Sequence, residues 1–187
     1  MTTATVTAVN GVDVNALQET IAAVSEQPAL GRFVFRASNT WIDGGRNRST
    51  IGSFYGAGRE DDTRPAPFVM DNDEPAVLLG TDRGANPVEH VLHALAGCLT
   101  TSLVYHAAAR GVEIDSVSCE LEGDLDLQGF LGVRDDVRRG YEAIRVTFRI
   151  ESPAGREKVE ELLAIAQRQS PVFDIVSHPV PVQVALG

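Results

Sequence analysis

The residues of this chain best suited to redox chemistry are one cysteine and two arginines. Cys98 lies in an apolar stretch with small and hydroxyl side chains at helical spacing around it, which leaves room for a reagent to reach the sulfur. Arg46 and Arg48 are two positions apart, so in a strand both point to the same face. A guanidinium beside a thiol favours the thiolate and can hold a substrate oxygen, as attack on a peroxide requires. The local pattern leaves open whether Cys98 is a nucleophile or a core residue, and whether the arginines only form a solvated face.

Other residue types that often mark a site give no such pattern. Cys119 lies on the apolar side of an alternating segment and is interpreted as a small buried hydrophobe. The chain has no CxxC or HExxH motif, and the acidic run 71–74 lacks the spacing and glycine of an EF-hand loop. We therefore expect neither a metal nor an organic cofactor.

Composition limits the class of partner. The chain has 187 residues, 43% of them hydrophobic, which is enough for a substantial core. A net charge of -10 disfavours nucleic acid and anionic membranes, since both would repel it, and favours a small organic substrate. Because residues 1–5 carry no basic region before an apolar stretch and no run of 18 apolar residues occurs, we expect a cytoplasmic protein without a membrane partner, whose two cysteines are free thiols.

A long helix must position Cys98. Asn86 can cap it, Pro87 suits the first helical position, and Glu89 completes a capping box, so the helix should run from there to about Gly111. Its apolar residues fall on nearly every side, which is typical of a helix buried inside the molecule or between subunits. Glu89 precedes Cys98 by nine residues, roughly 13 Å along a helix, and faces away from it. Glu89 would therefore act only by orienting an arginine or from a partner subunit.

The rest of the pattern predicts an α+β fold. Apolar residues recur at helical spacing in some segments and alternate in others. We expect an N-terminal leader and helix in residues 1–29 and a single domain in residues 30–187. In chain order the predicted elements are a loose leader 1–12, a helix 14–25, strands 33–41 and 46–55 joined at Asp43-Gly44-Gly45, an exposed loop 56–67, strands 68–70 and 76–79, the long helix, strands 117–125 and 142–151, a helix after Ser152-Pro153, a helical turn after Ser170-Pro171, and an extended segment 180–186.

Together these elements and motifs resemble the OsmC/Ohr family of thiol-dependent hydroperoxide reductases over roughly residues 30–187. The resemblance implies an OsmC-like fold, in which antiparallel sheets from both chains of an intertwined homodimer wrap around two long central helices. Such a dimer would explain a helix that is apolar all round. The motifs that carry it are the turn Gly44-Gly45-Arg46, the helix start Asn86-Pro87 with Cys98 twelve residues after Asn86, the strand Val117–Leu125 and the segment Ser170-Pro171-Val172.

The resemblance also assigns roles, and the chain departs from the family pattern at two positions. In the family the cysteine matching Cys98 attacks the peroxide, an arginine of the first hairpin activates it, and a second cysteine closes a disulfide that an external dithiol reduces. Ser170 stands at the position of that second cysteine; it suits a helix cap, but a hydroxyl cannot resolve a sulfenic acid by disulfide exchange. Cys119 is not expected to replace it. The Ohr branch carries a carboxylate at the position of Val88, and this chain has Glu89 next to it.

Two classes of function follow as hypotheses. In the first, Cys98 reduces an organic hydroperoxide or similar electrophile, Arg46 or Arg48 stabilises the thiolate, and an external thiol resolves the sulfenic acid, as part of oxidative stress defence. In the second, the fold serves as a dimeric binding or stress-response module without turnover, or as a thiol redox sensor. The absent second thiol at position 170 motivates this alternative.

Overall fold

The computed structural model describes residues 8–187 and has the expected α+β architecture with antiparallel sheets. The first seven residues of the predicted leader lie outside the described residues. The helices are α1 (Val14–Glu26), α2 (Pro87–Ala108), α3 (Leu127–Phe130), α4 (Arg156–Gln169) and α5 (Pro171–Ser177). The strands are β1 (Ala8–Val9), β2 (Val12–Asp13), β3 (Ser38–Asp43), β4 (Arg46–Ile51), β5 (Phe54–Gly56), β6 (Arg59–Asp61), β7 (Phe68–Asn72), β8 (Ser116–Asp124) and β9 (Ala143–Glu151).

Packing divides the described chain into two units. One comprises residues 8–14 and 91–187, and the other residues 15–90. Strands β1 and β2 pair in the first unit, as do β8 and β9, while the second unit contains the sheet β3-β4-β7 and the hairpin β5-β6. The division of the chain at residue 30 stays a prediction.

The core of the first unit lies where α2 and α4 meet the hairpin β8-β9. Both strands alternate between exposed and half-buried residues along their whole length, which is typical of a sheet with one solvated face; the sequence predicted this alternation for β8. The half-buried residues of the hairpin include several that pack against the core. The buried cluster consists of Leu103, Ala107, Val112, Leu162 and Ala166, with Ile114, Val117, Phe148 and Ile150 packed against it.

Helix α2 buries one stripe in the single chain rather than its whole circumference. Leu95, Leu99, Leu103 and Ala107 follow one another at intervals of four and form that stripe. Other faces are open, and Tyr105 is 51% exposed. By length and composition alone α2 could cross a membrane, a test that the core helix of a soluble protein also passes.

The prediction of a loose leader is wrong for its described part. Residues 8–13 form the small hairpin β1-β2. At its tip the Asn10 amide donates to the carbonyl of Val112, and its Oδ1 accepts from the N–H of Ile114, both at 2.9 Å. A side chain that satisfies two backbone groups a hundred residues away holds this hairpin in place, which no local pattern could indicate.

The second unit contains the predicted hairpin at the Gly-Gly turn, but the elements next to this hairpin differ from the prediction. Gly44 has φ +53, a conformation that glycine adopts without strain, and the chain reverses there between β3 and β4. The first strand of the pair begins at Ser38, not at residue 33. The predicted exposed loop 56–67 contains β6, because Ala57 and Gly58 both have positive φ and so form a tight hairpin turn.

The predicted strand 76–79 is a 3-10 helix over Ala76–Leu78. The N–H groups of Leu78 and Leu79 close the turn on the carbonyls of Pro75 and Ala76, and Asp73, which is 1% exposed, joins the two ends of the segment. Its carboxylate accepts from the Thr81 hydroxyl at 2.6 Å and from the N–H groups of Glu74, Thr81 and Arg83. These contacts, led by the Thr81 hydroxyl, hold the pKa of Asp73 below its ordinary value.

Replacing Asp73 by asparagine is expected to destabilise the second unit. The amide would point N–H groups at backbone donors, leaving buried N–H groups unsatisfied. Because the folded pKa is lowered, the stabilisation from Asp73 is complete above the unfolded value of about 3.9 and is lost as pH falls through the folded value. Urea unfolding at pH 7 should show a lower midpoint for Asp73→Asn. The matched control is Asp82→Asn, since Asp82 is exposed and has a left-handed φ of 56, which asparagine tolerates; equal midpoints for the two variants would contradict the assignment.

Candidate active site

Cys98 and Ser170 are in direct contact. Ser170 Oγ lies 3.1 Å from Cys98 Sγ and donates its hydrogen bond to the sulfur. Ser170 is 1% exposed, whereas Cys98 is half-buried and so remains accessible on part of its surface. The two residues are 72 positions apart in sequence, and each comes from a different helical segment. The structure therefore pairs the candidate nucleophile with the residue that replaces the expected second thiol.

Ser170 is held at the junction of two helices. It follows the last residue of α4 and caps α5, where its Oγ accepts from the N–H of Phe173 at 3.2 Å. Pro171 occupies the first position of α5, as the Ser-Pro start signal predicted. The predicted cap is confirmed, and the contact with Cys98 is a second role for the same hydroxyl that the sequence did not reveal.

A second polar contact fixes the register of α2 against this junction. The Ser102 hydroxyl, one turn after Cys98, donates to the carbonyl of Ala166 at 3.2 Å, and Ala166 lies one turn before Ser170. The two contacts thus run side by side between the same helical segments. Their spacing sets both the distance and the rotation of Cys98 relative to Ser170.

Cys119 takes no part in this arrangement. It lies in β8 opposite Phe148, and its Sγ is 3.9 Å from the hydroxyl of Thr100. It is half-buried on the side of the strand that faces the core, close to its predicted place.

The start of α2 has the predicted capping box. Asn86 Oδ1 accepts from the N–H of Val88, and Glu89 Oε2 accepts from the N–H of Asn86 at 2.8 Å. The Asn86 amide also donates to the carboxylate of Glu74. Glu89 therefore has a structural partner already, and a role in catalysis stays a prediction.

The two candidate arginines differ in their surroundings. Arg48 is exposed and paired across the sheet with Asp71, to which Nε and Nη2 donate at 2.5 and 2.8 Å. This pair lowers the pKa of Asp71 and raises the pKa of Arg48. Arg46 is half-buried, and within residues 8–187 its guanidinium forms neither a hydrogen bond nor an ion pair, although its charge also contributes to the lowered pKa of Asp71. Arg46 is thus the arginine whose donors remain available.

The potential metal ligands of the described residues do not cluster. Within the described part of the chain, no group of three or more His, Cys, Asp or Glu side chains is placed to hold a metal ion. The buried Nε2 of His90 has no hydrogen-bond partner among the described residues, and His90 belongs to no cluster of potential metal ligands there.

Comparison with protein families decides the classification. The model of OsmC-like proteins matches residues 80–185, more than half of the chain and the part that contains both Cys98 and Ser170. The chain belongs to the OsmC-like family. This confirms the resemblance inferred from the motifs. No curated protein matches the chain significantly.

Solved structures of OsmC-like proteins share the fold at low identity. An OsmC-like protein from Mycoplasma pneumoniae has 15% identity and a TM-score of 0.60, with 78% of this chain and 88% of that chain covered. A putative osmotic stress induced and detoxification response protein from Psychrobacter arcticus has 14% identity and a TM-score of 0.56, covering 76% and 88%. An organic hydroperoxide resistance protein from Legionella pneumophila has 16% identity and a TM-score of 0.53, covering 76% and 88%. These likenesses establish the OsmC-like fold.

Gly97 provides a test of what surrounds this OsmC-like site. It lies inside α2 next to Cys98, and a Cβ built on it would meet no atom within 4 Å. If the chain is a monomer, Gly97→Ala should stabilise it by about 0.5–1 kcal/mol through helix propensity alone, measured by urea unfolding. If a second copy covers this face of α2, as in the expected dimer, the added methyl group should instead lower the stability.

Proposed function

We propose that this OsmC-like protein reduces organic hydroperoxides through the single reactive thiol of Cys98, as part of a peroxide or stress response. The observation that carries the proposal is the contact between Cys98 and Ser170, because it joins the two positions at which the family has its reactive thiols. The similar Legionella protein is described as an organic hydroperoxide resistance protein, which supports the choice of substrate class.

The proposed cycle uses one cysteine and two equivalents of an external thiol. The Cys98 thiolate attacks the outer oxygen of ROOH; the O–O bond breaks, sulfur is oxidised to Cys98–SOH, and the leaving alkoxide takes a proton to give ROH. A first external thiol condenses with the sulfenic acid, releasing water and leaving a mixed disulfide. A second external thiol releases Cys98 as the thiol and leaves as the external disulfide.

Within this proposal Arg46 is the activating arginine. Its donors have no partner among the described residues, while those of Arg48 are committed to Asp71. A guanidinium that donates to a thiolate or to a peroxide oxygen forms charge-assisted hydrogen bonds, which are stronger than neutral ones. Glu89 is assigned an indirect role through the start of the helix that carries Cys98.

We also propose that the protein works as a homodimer in the cytoplasm. Both cysteines are free thiols in the structure, which fits a reducing compartment. Helix α2 has apolar side chains on faces that the single chain leaves open, and a second copy would cover them. An external thiol and a small hydroperoxide complete the expected partners.

Steady-state turnover separates this proposal from the non-catalytic alternatives. Consumption of cumene hydroperoxide should depend on Cys98 with at least one of a small monothiol, a small dithiol and a dithiol protein, and Cys98→Ser should abolish it. Cys119→Ser should retain it, because the Cys119 sulfur contacts the hydroxyl of Thr100 and not that of Ser170. The hydroxyl of Ser170 in place of a thiol favours the alternative of a redox sensor or binding module. Absence of Cys98-dependent turnover with every donor would leave that alternative standing.

A further inference from the structure

The hydroxyl of Ser170 has only one direction in which it can donate. A serine hydroxyl carries one proton and two acceptor lone pairs. The N–H of Phe173 occupies one lone pair at 3.2 Å, and the Cys98 sulfur lies 3.1 Å away to receive the proton. With the residue 1% exposed, bulk water does not compete for this proton.

The position of the Cys98 sulfur relative to Ser170 is also fixed. Cys98 cannot turn away from Ser170 by a shift of α2, since the Ser102 contact with Ala166 fixes the register one turn further on. The donor therefore stands at the same place whether the sulfur is a thiol, a thiolate or a sulfenic acid. Hydrogen bonds to a charged acceptor are stronger than those to a neutral one, so the contact favours the anionic sulfur.

We propose that Ser170 is a positioning residue for Cys98: its buried hydroxyl donates to the sulfur, orients it and stabilises the thiolate that attacks. The proposal deepens the proposed function and rests on it for the identity of the reaction. Position 170 then keeps a chemical role although it cannot form a disulfide, since the hydroxyl supplies a hydrogen bond where the family has a resolving thiol. Oxidised Cys98 persists as Cys98–SOH beside Ser170 until an external thiol arrives, because a hydroxyl cannot condense with the sulfenic acid to form a disulfide and water as a thiol does.

The test measures how fast iodoacetamide alkylates Cys98 at pH 7, with the peptides containing Cys98 and Cys119 quantified separately by mass spectrometry. Ser170→Gly removes the hydroxyl but keeps most of the capping preference, so it should fold at a cost of only a few tenths of a kcal/mol. Alkylation of Cys98 should slow between about threefold and tenfold, because the reacting sulfur loses a hydrogen-bond donor and about half of that loss, on a logarithmic scale, is offset by higher nucleophilicity.

Two further variants separate this role from a structural one. Ser170→Thr retains both hydroxyl and cap and should restore the rate. Asp126→Ala removes the cap of α3, where Oδ1 accepts from the N–H of Gln128 at 2.9 Å, and should lower the stability without changing the alkylation of Cys98. Thermal melting of each variant confirms that it is folded when it reacts.

Several outcomes would overturn the proposal. They are a Ser170→Gly rate within twofold of the wild type, an equal slowing in Asp126→Ala, or a natively folded Ser170→Thr that stays slow. The reaction of the wild type with cumene hydroperoxide is measured alongside. If that reaction is absent, the proposed function fails, whereas the alkylation series still decides the role of the Ser170 hydroxyl.

Discussion

Ser170→Cys is expected to convert oxidised Cys98 from a lasting sulfenic acid into an intramolecular disulfide. The oxygen at position 170 is 3.1 Å from the sulfur, so a thiol there needs to approach by only about 1 Å to reach bonding distance. One equivalent of cumene hydroperoxide should give a protein lighter by two hydrogens, in which a disulfide links the peptide containing Cys98 to the peptide containing the introduced thiol. Because the bond would close a loop of 72 residues, the oxidised variant should also be more stable to urea by about 2–4 kcal/mol, measured against its reduced form.

The control for this experiment is a thiol placed at Ser177. Ser177 is exposed at the end of α5, and its hydroxyl donates to the carbonyl of Phe173, not to the Cys98 sulfur. Ser177→Cys should therefore leave Cys98 as a sulfenic acid that dimedone can trap. A Ser170→Cys protein that gives the trapped adduct and no disulfide would show that positions 98 and 170 do not meet in solution.

Arg46→Ala is expected to slow the reaction of Cys98 with cumene hydroperoxide by about tenfold to a hundredfold. A hydrogen bond from a guanidinium to an ionised group contributes about 1.5–3 kcal/mol, and each 1.4 kcal/mol is a factor of ten. Arg46→Lys should recover only part of the rate, since an ammonium keeps the charge but loses the planar fork. Stopped-flow measurement of the second-order rate constant at low ionic strength gives the comparison.

The two arginines can be compared directly in the same assay. Arg48→Ala breaks an exposed pair with Asp71 and should change the rate little. Arg36→Ala breaks another exposed pair, with Glu60, and serves as the control for loss of one positive charge. A large loss in Arg48→Ala with none in Arg46→Ala would transfer the activating role to Arg48.

Local signals in the sequence were enough to predict the elements that carry the site. The start of α2 follows from Asn86, Pro87 and Glu89, which act within one turn of each other, and all three take their expected places. Strand β8 follows from the alternation around Cys119, and β9 has nearly its predicted bounds, but their pairing is shown only by the structure. Elements fixed by distant contacts were missed. The segment after Asp73 contains a 3-10 helix and not the predicted strand, and one buried carboxylate joins its two ends by accepting from N–H groups up to ten residues away.

In the candidate site, too, features with a local signal were predicted, whereas features that depend on distant contacts were not. The family resemblance identified Cys98 and Ser170 as the positions of interest, and the Ser-Pro pair predicted the helix cap at Ser170. The hydrogen bond between their side chains joins residues 72 apart and depends on how α2 packs against the junction of α4 and α5, so no short pattern could predict it. The difference between Arg46 and Arg48 was hidden for a similar reason. It depends on Asp71, which comes from a different strand of the sheet.

The most direct test of the central claim is mass spectrometry of the wild-type protein after one equivalent of cumene hydroperoxide in the presence of dimedone. We expect a dimedone adduct of sulfenic acid on the peptide that contains Cys98, with Cys119 unmodified and no disulfide between the two cysteines. Prior blocking of Cys98 with iodoacetamide should remove the adduct. An unmodified Cys98 in a protein shown to be folded, or oxidation confined to Cys119, would contradict it.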